Sequence, residues 1–292
     1  MNISNETTLP AVSVNRFHKD RLFKALFGSE QRKKLTLDLY NAIHNSSYQN
    51  PEDIHINTLE DVIYMGMKND VSFLLADSMN LYEQQSTQNP NMPLRFFLYA
   101  AHLYEKYIKA NDLEKYLYSS KGIALPAPSL VMLYNGKGEN PTEYLFLSDA
   151  FEQHADSDIQ VRVRVINISY PNGSDILKHC KPLRDYAYVV HAFQAGRANK
   201  GNMKALQEAI ASMEPGDVQN YLLEHQYEVM DMLLTEYNEE KTLKCERDIG
   251  YLKALIDLVQ KGLLKPSDAA SQAHLSEDEF QKEMARITVQ HQ

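Results

Sequence analysis

The feature that most limits this chain is the order of its hydrophobic patterns. Three strand-like segments, DVIYMGM, NDVSFLLADS and SMNLYEQQS, follow one another between residues 61 and 86. A long amphipathic run, LRFFLYAAHLYEKYIKA, comes after Pro93, and then two further strands, SLVMLYNG and DIQVRVRVINISY. Helical spacing precedes them: Phe17, Leu22, Phe23, Leu26 and Phe27 recur on one face up to Gly28, and Leu35, Leu39 and Ile43 share a face of RKKLTLDLYNAI. Helix, three strands, helix, strand, strand is the order of a mixed α/β sheet. The turn-prone pair Asp77-Ser78 is expected to close a hairpin. In the long helix, Leu94, Phe97, Leu98, Ala101, Leu103 and Tyr104 form the expected buried stripe. Val161, Val163 and Val165 alternate with Arg162 and Arg164, which reads as a half-exposed strand at the sheet edge.

From Lys178 onward the pattern is helical almost to the end. Amphipathic stretches occupy 180–196, 203–213, 218–237 and 246–264, followed by two short helices around a turn with Ser267 and Ser276 as N-caps. Charge marks the same change. Residues 1–204 balance 22 Lys/Arg against 22 Asp/Glu, whereas 205–292 hold 8 against 17 and so supply the whole net charge of −9. Three regions are therefore expected: a disordered start (1–15), an α/β domain (16–204) and an acidic helical region (205–292) serving oligomerisation or regulation. Its final segment has the rhythm of a helix-turn-helix, but Glu277, Asp278 and Glu279 crowd the would-be recognition helix and argue against DNA contact there.

The apolar content of 43% is enough to build a core without staples, and two cysteines, Cys180 and Cys245, make no disulfide framework or zinc motif. No run of apolar residues is long enough to span a membrane, and the first residues lack the pattern of a secretory signal, so the expected compartment is the cytoplasm. There is no GxGxxG, P-loop or GxSxG motif.

Chemistry concentrates in residues 69–86. On a strand Glu83 and Gln85 point the same way, and a turn at Asp77-Ser78 sets Asp70 opposite about Gln85 on that face. Two carboxylates and an amide converging on adjacent strands suit a hard divalent cation, Mg²⁺ or Mn²⁺, although acidic groups on a solvated strand face are also common. Seven basic residues lie between 16 and 34, Lys19, Arg21 and Lys24 among them. They read either as a phosphate-contacting face or as a solvated helix surface. Arg95 reads as a phosphate contact or as a residue of the helix start.

These residues resemble a known family. KNDVSFLLADSMNLYEQQSTQNPNMPLR, together with FHKDRLFKALFG at 17–28, LYNG at 133–136 and KPLRDYA at 181–187, is similar to the PD-(D/E)XK transposase and Rpn-type recombination-promoting nuclease group. The resemblance covers about residues 16–240. It implies a restriction-endonuclease-like core, a mixed sheet of αβββαβ order flanked by helices, with the α-helical region appended. It also implies a divalent metal held by Asp70, Glu83 and the backbone carbonyl of Gln84. Asp20 is either a further acidic group at that metal or a helical partner for Lys24. The implied activity is hydrolysis of DNA phosphodiester bonds, with RNA not distinguished by sequence, in recombination or mobile elements. One departure stands out: Gln85 occupies the place of the motif lysine, and brings a hydrogen bond but no charge. The rival expectation is a nuclease-fold protein that binds without cutting, in a defence or toxin–antitoxin setting.

Overall fold

The computed structural model describes residues 21–57, 69–136, 141–152 and 157–289. The expected strand at 61–67, Lys19, Asp20 and the N-terminal 1–15 lie outside the described residues. Contacts divide the chain into two compact units, one ending at Leu233 and one beginning at Leu234. The compositional boundary at 204 and this division differ, because helices α6 (Asn202–Ala211) and α7 (Asp217–Glu224) belong to the first unit.

The first unit is mixed α/β. Helix α1 (Arg21–Phe27) buries Leu22, Phe23, Leu26 and Phe27, and α2 (Lys33–His44) buries Leu35, Leu39 and Ile43. The Thr36 hydroxyl donates to the Phe27 carbonyl at 2.6 Å and ties the two helices together. Asn45, in the left-handed region at φ 50°, ends α2 with its N–H on the Asn41 carbonyl. Six strands follow: β1 (His55–Ile56), β2 (Val71–Leu75), β3 (Ser78–Gln85), β4 (Ala127–Tyr134), β5 (Tyr144–Phe146) and β6 (Arg162–Asn167). They form one open sheet in the order β1-β2-β3-β4-β6-β5. The β1–β2, β2–β3 and β5–β6 pairs are antiparallel, and β3–β4 and β4–β6 are parallel. A parallel neighbour needs a crossover, and helix α3 (Met92–Ala110) supplies it between β3 and β4.

Several sequence expectations are corrected here. The β2–β3 turn is Ala76-Asp77, one residue earlier than expected, since Leu75 pairs with Ser78. Ala76 takes φ 50°, and a positive φ at the first of two loop positions is the type II′ pattern, whose twist matches the strands. The register is therefore Val71 opposite Tyr82, which sets Asp70 across from Glu83 rather than Gln85. A slip of two residues keeps every side chain on its face. The alternating strand β6 is not the edge: β5 covers it, and the alternation arises because Val163 and Val165 pack under α3 while Arg162 and Arg164 are exposed.

The buried stripe of α3 is also rotated from expectation. Met92, Phe96, Tyr99, Ala100 and Leu103 pack on Met79, Leu81, Met132, Tyr134, Val163 and Val165. Leu94 and Phe97 remain 45% and 37% exposed. Burying each large side chain in such a cluster contributes roughly 1.5–3 kcal/mol. On the opposite side Phe23 and Phe27 meet Tyr186 of α5 (Lys181–Lys200), which follows the short α4 (Ile176–His179), edge to face, and Phe73 and Tyr82 do the same beneath Tyr40. Helices thus cover both faces of the sheet.

The second unit gathers Leu255, Ile256, Ala269, Ala270 and Phe280 into its own core. Helix α8 (Gln226–Gln260) runs unbroken through what the pattern divided into two, and the expected 218–237 helix breaks at His225. Helices α9 (Pro266–Gln272) and α10 (Glu277–Val289) flank the expected turn. Ser276 caps α10 in a reciprocal box with Glu279, whose carboxylate accepts from the Ser276 N–H and hydroxyl. Ser267 does not cap α9; Lys265 holds that position and Pro266 opens the helix. Among the described residues no helix is long and apolar enough to cross a membrane.

Candidate functional site

The hairpin's open end, beside the start of α3, is where the acidic residues meet. Asp70 sits at the bend just before β2, where the last residue of the α1 turn, Gly28, comes close: a Cβ there would stand 3.4 Å from the Asp70 carbonyl oxygen. Asp70 is buried, and its Oδ2 accepts the backbone N–H of Gln84 at 2.8 Å. This bond closes the β2–β3 pair one step beyond the ladder. The structure therefore gives the Gln84 backbone a recorded role as a donor to Asp70, alongside the carbonyl role expected of it.

Glu83 and Gln85 project from β3 toward α3, the face that also carries Met79 and Leu81. The Glu83 side chain is 1% exposed. Its Oε2 accepts from Gln85 Nε2 at 3.4 Å and from Arg95 Nη2 at 2.9 Å. Arg95 lies in the first turn of α3 and is held at several points. Its Nη2 and Nε donate to the Tyr99 hydroxyl at 2.9 and 3.3 Å, and its Nη1 lies 3.3 Å from the Met92 sulfur. Burial opposes charge on Arg95, but Glu83, Tyr99 and Asp70 outweigh it and hold the guanidinium above its ordinary value. Burial, then the Glu83 charge, raises the Tyr99 phenol well above the usual tyrosine range.

The fold thus unites Asp70, Glu83, Gln85 and Arg95 of the residues singled out in the sequence. Arg21 instead faces Asp231 at 3.7 Å, and Lys24 stays on the half-buried side of α1. Tyr99, which as one of the helix tyrosines Tyr99, Tyr104 and Tyr107 reads from sequence as a base-stacking or packing residue, joins the site through Arg95. Its signal was the i, i+4 spacing from Arg95, which places the two on one helical face.

Among the described residues no group of three or more His, Cys, Asp and Glu could hold a metal ion. Asp70 and Glu83 alone nevertheless suit a magnesium-type cation, which commonly binds one or two carboxylates and keeps water for its other positions. Two buried carboxylates side by side also require positive charge nearby, and Arg95 provides it.

Other polar groups lie elsewhere. His44 Nε2 stands 3.1 Å from the Tyr82 hydroxyl and 3.3 Å from Ser129 Oγ on the α2 side of the sheet. A cleft of about 850 Å³ is lined by Asp38, Arg164, His179 and Lys181 among others, and includes neither Asp70 nor Glu83. Its lining mixes cations and acids.

No family model, curated protein or solved structure matches this chain.

Proposed function

We propose that this chain is a divalent-metal-dependent nuclease of the PD-(D/E)XK kind, related to the Rpn-type group, that hydrolyses phosphodiester bonds of DNA in the cytoplasm. The observation that carries the reading is the meeting of Asp70 and Glu83 at the end of an antiparallel hairpin, beside the helix that leads to a parallel strand. That order of elements agrees with the αβββαβ core implied by the motifs.

Asp70 and Glu83 are the residues that would hold Mg²⁺ or Mn²⁺, which when bound supplies an activated water and offsets charge on the phosphate. The chain's own groups do the rest. The Asp70–Gln84 bond fixes the first carboxylate against the second strand. Gln85 lies on the same oxygen of Glu83 as Arg95 and can orient a water through its amide. Arg95 brings to this face the positive charge that a glutamine at the motif position lacks. Lys19, Arg21 and Lys24 are assigned to contacts with the nucleic-acid backbone, and the acidic helical region 205–292 to oligomerisation or regulation.

A second reading is favoured by the contact of Arg95 with Glu83. An acidic pair already engaged by the Gln84 N–H and by Arg95 suits a nuclease-fold protein that binds nucleic acid or protein without cutting. Plasmid nicking with Mg²⁺ or Mn²⁺, beside single-stranded RNA, separates the two. Metal-dependent cleavage that disappears in Asp70→Ala and Glu83→Ala supports the enzyme. Absence of cleavage with every metal and both substrates rejects it in favour of binding.

A further inference from the structure

We propose that Arg95 is the resident counter-ion of the Asp70–Glu83 pair and competes with a divalent cation for Glu83, so that it sets how tightly the site takes metal. The inference rests on the metal-site reading given above and adds its regulation.

The argument begins with burial. Glu83 is 1% exposed and its Oε2 lies 2.9 Å from the guanidinium, so Arg95 brings positive charge directly to this buried carboxylate. A divalent ion at the same carboxylate would face that guanidinium at short range. Like charges repel strongly where solvent is scarce. A lysine in such a place can relieve the conflict by losing its proton. An arginine cannot, because its guanidinium stays protonated throughout the accessible pH range. Arg95 must therefore move away or weaken the ion.

The surroundings oppose that movement. Two nitrogens of Arg95 donate to the Tyr99 hydroxyl, a third lies against the Met92 sulfur, and both partners sit on the same helix. The helix packs on the sheet through Met92, Phe96, Tyr99 and Leu103, all essentially buried. Tyr99 is thus a positioning residue: it keeps the guanidinium aimed at Glu83. Met92 adds a softer contact.

The test is Mn²⁺ binding to the full chain at pH 8, read by the electron paramagnetic resonance signal of free Mn²⁺ and by the Mn²⁺-induced rise in thermal midpoint. The parent is compared with Arg95→Gln, Tyr99→Phe and Glu83→Gln. Arg95→Gln is expected to bind at least tenfold more tightly, about 1.4 kcal/mol. Its midpoint should gain more from Mn²⁺ than the parent's does. Tyr99→Phe, which keeps the ring and removes the anchor oxygen, should shift in the same direction by less. Glu83→Gln should abolish binding. Equal or weaker binding by folded Arg95→Gln overturns the proposal while the metal-site reading stands. Should Arg95→Gln fail to fold, Tyr99→Phe decides: tighter binding supports the proposal, and unchanged or weaker binding overturns it. Absence of binding by the parent, Arg95→Gln and Tyr99→Phe alike overturns both the proposal and the metal site. Binding that survives in Glu83→Gln overturns the competition for this carboxylate.

Discussion

Replacing Asp70 separates the residue's two tasks, one structural and one chemical. Its Oδ2 is the acceptor for the buried Gln84 N–H at 2.8 Å. Asp70→Ala removes that acceptor and leaves a main-chain donor unsatisfied in the interior, a loss of about 1–3 kcal/mol. For a unit of this size that corresponds to a fall in thermal midpoint on the order of 2–12 °C. Asp70→Asn keeps a carbonyl oxygen of the same reach, so it should lose clearly less than the alanine variant. Both variants lack the carboxylate and should lose metal-dependent cleavage equally. The assay pairs urea unfolding, compared at constant m-value, with plasmid nicking. If asparagine destabilises as much as alanine, the hydrogen bond is not what Asp70 contributes to stability. If asparagine retains cleavage, the assignment of Asp70 to the metal is refuted.

Three further outcomes are expected. Gly136→Ala should destabilise by roughly 1–3 kcal/mol, because a Cβ there overlaps the Ser86 carbonyl oxygen and the Tyr134 ring; a thermal midpoint equal to the parent's would show that the turn relaxes freely. Burial, then Arg164, lowers the His44 imidazole below its ordinary 6.5, so the unfolded chain takes up the proton first. Stability should therefore fall as pH drops through about 6.5 towards the folded-state value, and unfolding midpoints of His44→Asn across pH 5–8 should lose that slope. Burial pushes the Cys180 thiol up to about 12. Iodoacetamide at pH 8 should leave Cys180 unmodified in the folded protein and alkylate it in urea, as mapped by mass spectrometry.

What the sequence made legible follows from strand parity. Asp70, Glu83 and Gln85 fall on one face whether the hairpin turns at Ala76-Asp77 or one residue later, because the register changes by two. The exact register was hidden because alanine gives no sign of adopting a positive φ, whereas Asp77-Ser78 carries ordinary turn chemistry. The α3 stripe was misplaced for a different reason. Leu94 and Phe97 are as hydrophobic as Phe96, and the demand that Met92, Phe96, Tyr99 and Leu103 pack together on the sheet decides which side is buried. That demand is tertiary and has no local signature. Strand β5 spans three residues, too few for a period to show, so nothing in the pattern countered the edge reading that the alternation along β6 suggests.

The placement of Arg95 and Tyr99 on the helix directly after β3 has a kinetic consequence. Every group of the acidic site, from Asp70 to Tyr99, belongs to one hairpin and the first turns of the next helix. Contacts so close in sequence cost little loop entropy and can form early, before the parallel strands β4 and β6 have joined the sheet. The exposed stretch at 112–125 lies beyond that segment, so a cut or insertion there would slow or weaken assembly of the sheet while leaving the acidic groups on an uninterrupted piece of chain.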